Sequence, residues 1–240
     1  MSLASRLREA GPEELAELVR DNLAELDVMA VRQALRNPFV DREIIEIFLG
    51  EGRLMQSHDV RRGIVVHPKT PEARALQLVQ TLRTRELVEL NRLVHVRPTV
   101  RRAAERRIAD RLTALTVGEK TSLARVAGAG VIQLIRNDPS PRVMRSLLEN
   151  PRLTEGLLMP LLASESSHPQ VLKVVAENPR WGVRYPVRVA LAQNPRTPAP
   201  TAVAILPMLK KHDLGAVSSN RRISAMVRRR ADLLLGRLGG

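Results

Sequence analysis

The chain has 240 residues, 39 of them Lys or Arg against 25 Asp or Glu, a formal net charge of +14 in which 34 of the cations are arginine. It has no cysteine and only four aromatic residues, Phe39, Phe48, Trp181 and Tyr185. That excludes a disulfide framework, a thiolate zinc site, an iron–sulfur cluster and a cysteine nucleophile, while 44% apolar residues argue against a disordered chain.

The segment Met1–Glu14 carries Arg6, Arg8 and Glu9 and lacks the apolar centre of a secretory signal. The longest apolar run, Ala127–Ile135, falls far short of the roughly 20 residues that span a bilayer. The expectation is a cytoplasmic protein without membrane insertion. Residues 1–50 carry a net charge of −4 and residues 51–240 one of +18. Residues 1–26 therefore read as an acidic helical cap. Its helix, expected over 12–25, exposes Glu13, Glu14, Glu17 and Asp21 and buries Leu15, Leu18, Leu23 and Leu26.

From residue 27 onward one phrase recurs: V-R-Q-A-L-R-N-P (31–38), R-R-G-I-V-V-H-P (61–68), M-R-S-L-L-E-N-P (144–151), L-K-V-V-A-E-N-P (172–179) and R-V-A-L-A-Q-N-P (188–195). A sixth, N-R-L-V-H-V-R-P (91–98), is degenerate. A basic residue stands early, branched or small apolar residues follow, and Asn or His precedes Pro. Proline lacks an amide hydrogen and restricts the residue before it, so a helix should end at the Asn. New N-caps are expected at Asp41, Thr70, Thr154 and Thr197, with Pro71 and Pro198 at the first helical position. Each unit is then helix, Pro turn, helix. The units expected are 31–50, 61–82, 91–115, 144–163, 172–186 and 188–209, followed by a basic C-terminal helix. The step from Pro179 to Pro195 is about half the usual one, and its one sequence correlate is Pro186, which should break a helix between them.

Between the phrases, Thr99–Leu115 reads as an amphipathic helix on Val100, Ala104, Ile108 and Leu112, and Gly118–Asp138 as one buried helix with close packing at Ala127–Gly130. Pro160 and Pro207 should kink or end their helices. The V-G-E-K-T-S stretch 117–122 lacks the first glycine of a phosphate loop and any leading strand, so it reads as a helical turn. The alternating runs of strands are missing, and the fold class is all-α. A helical pair of this kind buries its apolar stripe by stacking on its neighbours.

The stretch V-R-V-A-L-A-Q-N-P-R-T-P (187–198) resembles the leucine-rich repeat variant family, an α-solenoid akin to HEAT and armadillo arrays. The resemblance extends in weaker form over about 27–235 and implies a right-handed α-solenoid of stacked helical repeats. The iron–sulfur module associated with that family has no ligands here, and no functional residue carries over.

No catalytic residue, cofactor or metal ligand set is assigned: the histidines at 58, 67, 95, 168 and 212 form no ligand motif, and His67 and His168 stand in turn positions. The functional candidates are arginines, whose planar forks pair with carboxylates and phosphates. Arg101, Arg102, Arg106 and Arg107 form one cluster, with Glu105 and Asp110 within i,i+4 reach; Arg221, Arg222, Arg228, Arg229 and Arg230 form another, with Asp213 and Asp232 nearby. Arg61, Arg62, Arg92 and Arg97 extend the set if units stack in register. The expected function is a non-enzymatic scaffold that binds an acidic protein partner. The alternative is salt-sensitive binding to a nucleic-acid backbone, against which the scarcity of aromatics counts. A third reading is a HEAT-like repair enzyme resembling alkylated-base glycosylases, with Trp181, Arg184, Tyr185 and Arg188 as a pocket; the competing role for Trp181 is to anchor the core.

Overall fold

The computed structural model describes residues 2–237. Among them every regular element is helical. The chain divides into two compact units, residues 1–111 and 112–240.

Unit 1 runs α1 (Leu3–Glu9), α2 (Pro12–Asp21), α3 (Val28–Ala34), α4 (Arg42–Gly50), α5 (Gly52–Met55), α6 (His58–Val66), α7 (Glu72–Val79), α8 (Thr84–Arg92) and α9 (Pro98–Leu112), with a short 3-10 turn at Leu23–Glu25. Alternate helices pack on one another: α1 on α3, α3 on α6, α2 on α4. The ion pairs Arg62–Glu89 and Arg74–Glu46 extend the two series to α8 and α7. The core between them is aliphatic apart from Phe48, with Leu7, Leu15, Leu26, Ile44, Ile45, Phe48 and Ile64 fully enclosed.

Unit 2 holds α10 (Val117–Val126), α11 (Ala129–Ile135), α12 (Pro141–Leu148), α13 (Glu155–Ala163), α14 (Pro169–Glu177), α15 (Tyr185–Gln193), α16 (Ala199–Ile205), α17 (Lys211–Ser219) and α18 (Ala225–Arg237). Here too the packing alternates. One series contains α10, α12 and α14, the other α11, α13, α15 and α17, and α16 packs on α18.

A single turn recurs in both units. The backbone amide of the third residue after the turn's first position donates to that position's carbonyl at Asn37–Val40, His67–Thr70, Leu93–Val96, Asn150–Leu153, Ser164–Ser167, Asn194–Thr197 and Asn220–Ile223. The fourth residue is buried in every case: Val40, Thr70, Val96, Leu153, Ser167, Thr197 and Ile223 all lie in the core. Three of these turns, L-V-H-V, S-E-S-S and N-R-R-I, lack the proline that marked the others in sequence. In the degenerate phrase the turn closes at Val96, and Pro98 opens α9 instead.

The asparagine does more than end its own helix. The last carbonyls of a helix have no partner within it, and the Asn amide reaches across to those of a neighbour. Asn37 Nδ2 donates to the carbonyls of Leu7 (3.0 Å) and Ala10 (2.9 Å), closing α1. Asn150 does so to Ala124 (2.8 Å) and Ala127 (3.0 Å), closing α10, and Asn194 to Leu162 (2.6 Å) and Ser164 (3.0 Å), closing α13. Each of the three side-chain oxygens accepts the amide two residues on, from Phe39, Arg152 and Arg196. All three asparagines are buried.

This division explains the short step between Pro179 and Pro195. Asn150 serves the α10–α12 series, whereas Asn194 and Asn220 serve the α13–α15–α17 series. Asn178 and Asn194 flank α15 on its two sides, so successive phrases belong to different series. At 178 the neighbour's carbonyl is taken by another group: the Trp181 indole Nε1 donates to Leu148, the last residue of α12, at 3.0 Å.

Several expectations change. Asp41 and Thr154 cap α4 and α13 through the amides of Ile44 and Leu157, as the pattern suggests. Thr70 and Thr197 do not cap: Pro71 and Pro198 take the N-cap positions, and Thr70 Oγ1 turns back to the Ile64 carbonyl. The single helix expected over Gly118–Asp138 breaks at Ala127–Gly128, where extended backbone frees the Ala127 carbonyl for Asn150. Pro160 is carried inside α13, while Pro207 lies in a 3-10 turn, Leu206–Met208, that follows the end of α16. The V-G-E-K-T-S stretch is the first turn of α10. Thr116 and Glu119 bond there reciprocally, and the Thr116 amide and hydroxyl hold the Glu119 carboxyl below the usual range.

Candidate functional site

The arginines divide into those that serve the backbone and those that remain available. Arg53 donates to the carbonyls of Leu23, Ala24 and Leu26 at 3.2, 3.0 and 2.9 Å. Arg97, one residue beyond the 93–96 turn, reaches the Pro68 carbonyl at 2.6 Å. Arg111 closes α7 through Leu82 (2.8 Å) and Gln80 (3.4 Å). These are the Asn function performed by a longer, charged donor. Arg62 is paired with Glu89 and Arg61 reaches the Gln56 carbonyl at 3.4 Å. Of the stripe expected from Arg61, Arg62, Arg92 and Arg97, only Arg92 is without a partner among the described residues.

On α9 the core face is Val100, Ala104 and Ile108, as periodicity requires. Arg102 and Arg106 project on the opposite, exposed side, and Arg101 and Arg107 flank it half-buried. No carboxylate pairs with any of the four among the described residues, and Glu105 and Asp110 make no ion pair either. The Nε atoms of Arg101 and Arg107 are buried without a hydrogen-bond partner. Burial first, and then repulsion from Arg107, lower the Arg111 pKa. The helix thus presents closely set cations that no acid engages in an ion pair among the described residues.

In unit 2, Arg222 forms an ion pair with Glu165. Arg221, Arg228, Arg229 and Arg230 have no carboxylate partner among the described residues. The two acids that sequence placed nearby are engaged elsewhere: Asp213 accepts from the Tyr185 hydroxyl, and Asp232 from Ser218. Arg229 is exposed, Arg228 and Arg230 half-buried. Beside them on α18 stand two exposed apolar side chains, Met226 and Leu233, at helical spacing. Nothing in the sequence pattern marked that pair as exposed.

Within the group at 181–188 only the indole is enclosed; Tyr185 and Arg188 line two separate cavities, of about 540 and 580 Å³. Trp181 is 1% exposed, is fixed through its indole N–H, and is covered by the guanidinium groups of Arg180 and Arg184 at 5.0 and 4.5 Å from the ring centroid. Arg184 also lies 3.4 Å from Glu155, and Arg188 Nε donates to the Gly182 carbonyl at 3.0 Å. Gly182 sits against α14 so closely that a Cβ would fall 2.0 Å from the Ala176 carbonyl oxygen. Tyr185 joins α15 to the start of α17: it donates to Asp213, accepts from the Lys210 amide at 2.9 Å, and lies under the Lys210 ammonium at 5.2 Å. Burial, and then the hydrogen bond to Asp213, raise the Tyr185 pKa. Trp181 is an anchor, and its ring has no free face on which a base could stack.

His67 and His168 hold turns: their Nδ1 atoms accept from the amides of Lys69 and Gln170, each at 3.3 Å. Among the described residues no three His, Asp or Glu side chains gather at metal-binding range. No helix there is long and apolar enough to cross a membrane.

No protein-family model, curated protein or solved structure matches the chain.

Proposed function

We propose that the chain is a non-enzymatic helical-repeat scaffold, a right-handed α-solenoid in architecture, that binds an acidic segment of a partner protein. The alternation of helices within each unit and the recurring turn support the architecture. The observation that carries the function is the α9 arginine row, which has no carboxylate partner although acids lie within one turn on the same helix. A surface so arranged retains its electrostatic attraction for an incoming anion. The same row would attract a nucleic-acid backbone, the competing reading. Against that, the one Trp is enclosed by arginines, so stacking on bases has no platform.

The deciding measurement is fluorescence anisotropy with a labelled glutamate-rich peptide and with a nucleic-acid duplex of equal charge, each over a salt series. Tighter binding of the peptide, weakened by R102E with R106E, supports the scaffold reading. Duplex binding that exceeds it at every salt concentration overturns that reading in favour of the backbone binder.

A further inference from the structure

Unit 1 contains a basic groove that neither arginine cluster includes. It is a cavity of about 310 Å³ lined by Arg32 and Arg36 at the end of α3, Arg62 of α6, and the two turn histidines His67 and His95. Asp59 is the one carboxylate on its wall, and the floor of Leu35, Val66 and Pro68 is apolar. Arg32 and Arg36 are exposed and have neither an ion-pair nor a hydrogen-bond partner among the described residues. Arg62 is only half satisfied, because Glu89 occupies one end of its guanidinium from α8. His67 contributes in its neutral form. Its Nδ1 accepts the Lys69 amide, so Nε2 carries the hydrogen and is the donor left over. Burial and the Lys69 charge both lower its pKa, which favours the neutral ring, and the Lys69 amide fixes its tautomer.

A single carboxylate would leave most of these donors idle. A phosphoryl group carries close to two negative charges and three acceptor oxygens, and guanidinium forks match it geometrically. We propose that this groove seats the phosphoryl group of a phosphorylated side chain within the acidic partner segment. The inference rests on the scaffold reading above and narrows it to a phosphopeptide. The sequence feature behind it is the early basic residue of the phrase: Arg32 and Arg62 hold that position in two successive phrases, and His67 replaces the turn Asn, which leaves a ring donor where Asn37, Asn150, Asn194 and Asn220 have an amide committed to a neighbouring helix.

The test uses the full chain and two labelled peptides, identical and glutamate-rich except that one carries phosphoserine where the other has serine. The phosphorylated peptide should bind at least about tenfold tighter, a margin that a few charge-assisted hydrogen bonds supply. R32Q with R36Q should remove that margin while leaving affinity for the unphosphorylated peptide and the melting temperature in place. R32K with R36K should restore only part of it, since ammonium groups keep the charge and lose the fork. R106Q should weaken both peptides equally and keep their ratio. Equal affinity of the native chain for the two peptides overturns the groove assignment and leaves the scaffold reading standing. A preference that survives R32Q with R36Q overturns it too. Failure of both peptides to bind removes the scaffold reading along with it.

Discussion

Asn150 shows how much one side chain carries. Its amide donates to two carbonyls at the end of α10 and its oxygen accepts from Arg152, all at a site 1% exposed. Replacing it with Ala leaves two buried carbonyls without a partner, at a cost of about 2–4 kcal/mol. Asn150→Asp should be worse near neutral pH, because a carboxylate then faces carbonyl oxygens instead of an amide donor. Urea unfolding of the two variants gives the order, and an Asp variant as stable as Ala would contradict the assigned bonds. Tyr185 offers a second check at this scale. Its pKa is raised, so its neutral hydroxyl is what the fold prefers. That contribution is complete below the ordinary tyrosine value of about 10 and is lost as pH rises through the higher folded value. The melting-temperature difference between the native chain and Tyr185→Phe should therefore shrink above that pH, and a difference independent of pH would exclude the link to Asp213.

At the scale of the element, the recurring problem is the C-terminal end of a helix, and the chain solves it from outside. Asn37, Asn150, Asn194, Trp181, Arg53 and Arg111 each supply a donor from a different element, between 23 and 33 residues away in sequence. Arginine is therefore of two kinds here. Arg53→Met should destabilise the fold by about 1–2 kcal/mol, since three carbonyls lose a charged donor at a partly exposed site. Arg106→Met should leave stability within about 0.5 kcal/mol, as an exposed residue without partners does. Thermal or urea denaturation of the pair separates the two kinds, and equal effects would erase the distinction. The early basic residue of the phrase is mixed in the same sense: Arg62 pairs with Glu89, while Arg32 has no partner among the described residues.

For the molecule as a whole, the +14 net charge is a structural cost as well as a means of attraction. The arginines of rows such as Arg101–Arg107 repel one another without a directly paired acid, and salt screens that repulsion. The melting temperature should rise as sodium chloride is raised from low to physiological concentration, while affinity for any polyanion falls. A melting temperature that falls over the same range would mean that ion pairs such as Arg62–Glu89 and Arg74–Glu46 outweigh the repulsion.

The helical class, the aliphatic core and the N-P turns were legible in the sequence because they follow from local rules: periodicity on α9, the missing amide of proline, the scarcity of aromatics. The S-E-S-S and N-R-R-I turns were not, since without proline their one signature is a buried fourth residue, and burial is a property of the packed chain. The same limit applied to Thr70 and Thr197, whose place in the turn depended on where the next helix began. At the N-P turns local sequence determined where a helix stops; only tertiary structure decided which neighbour each asparagine closes, because a hydrogen bond spanning some thirty residues exists only once the helices are packed. That is also why the half-length step before Pro195, opaque in sequence, resolves into two interleaved series. It is why the charge total said little about function until the arginines that hold carbonyls were separated from those left facing solvent.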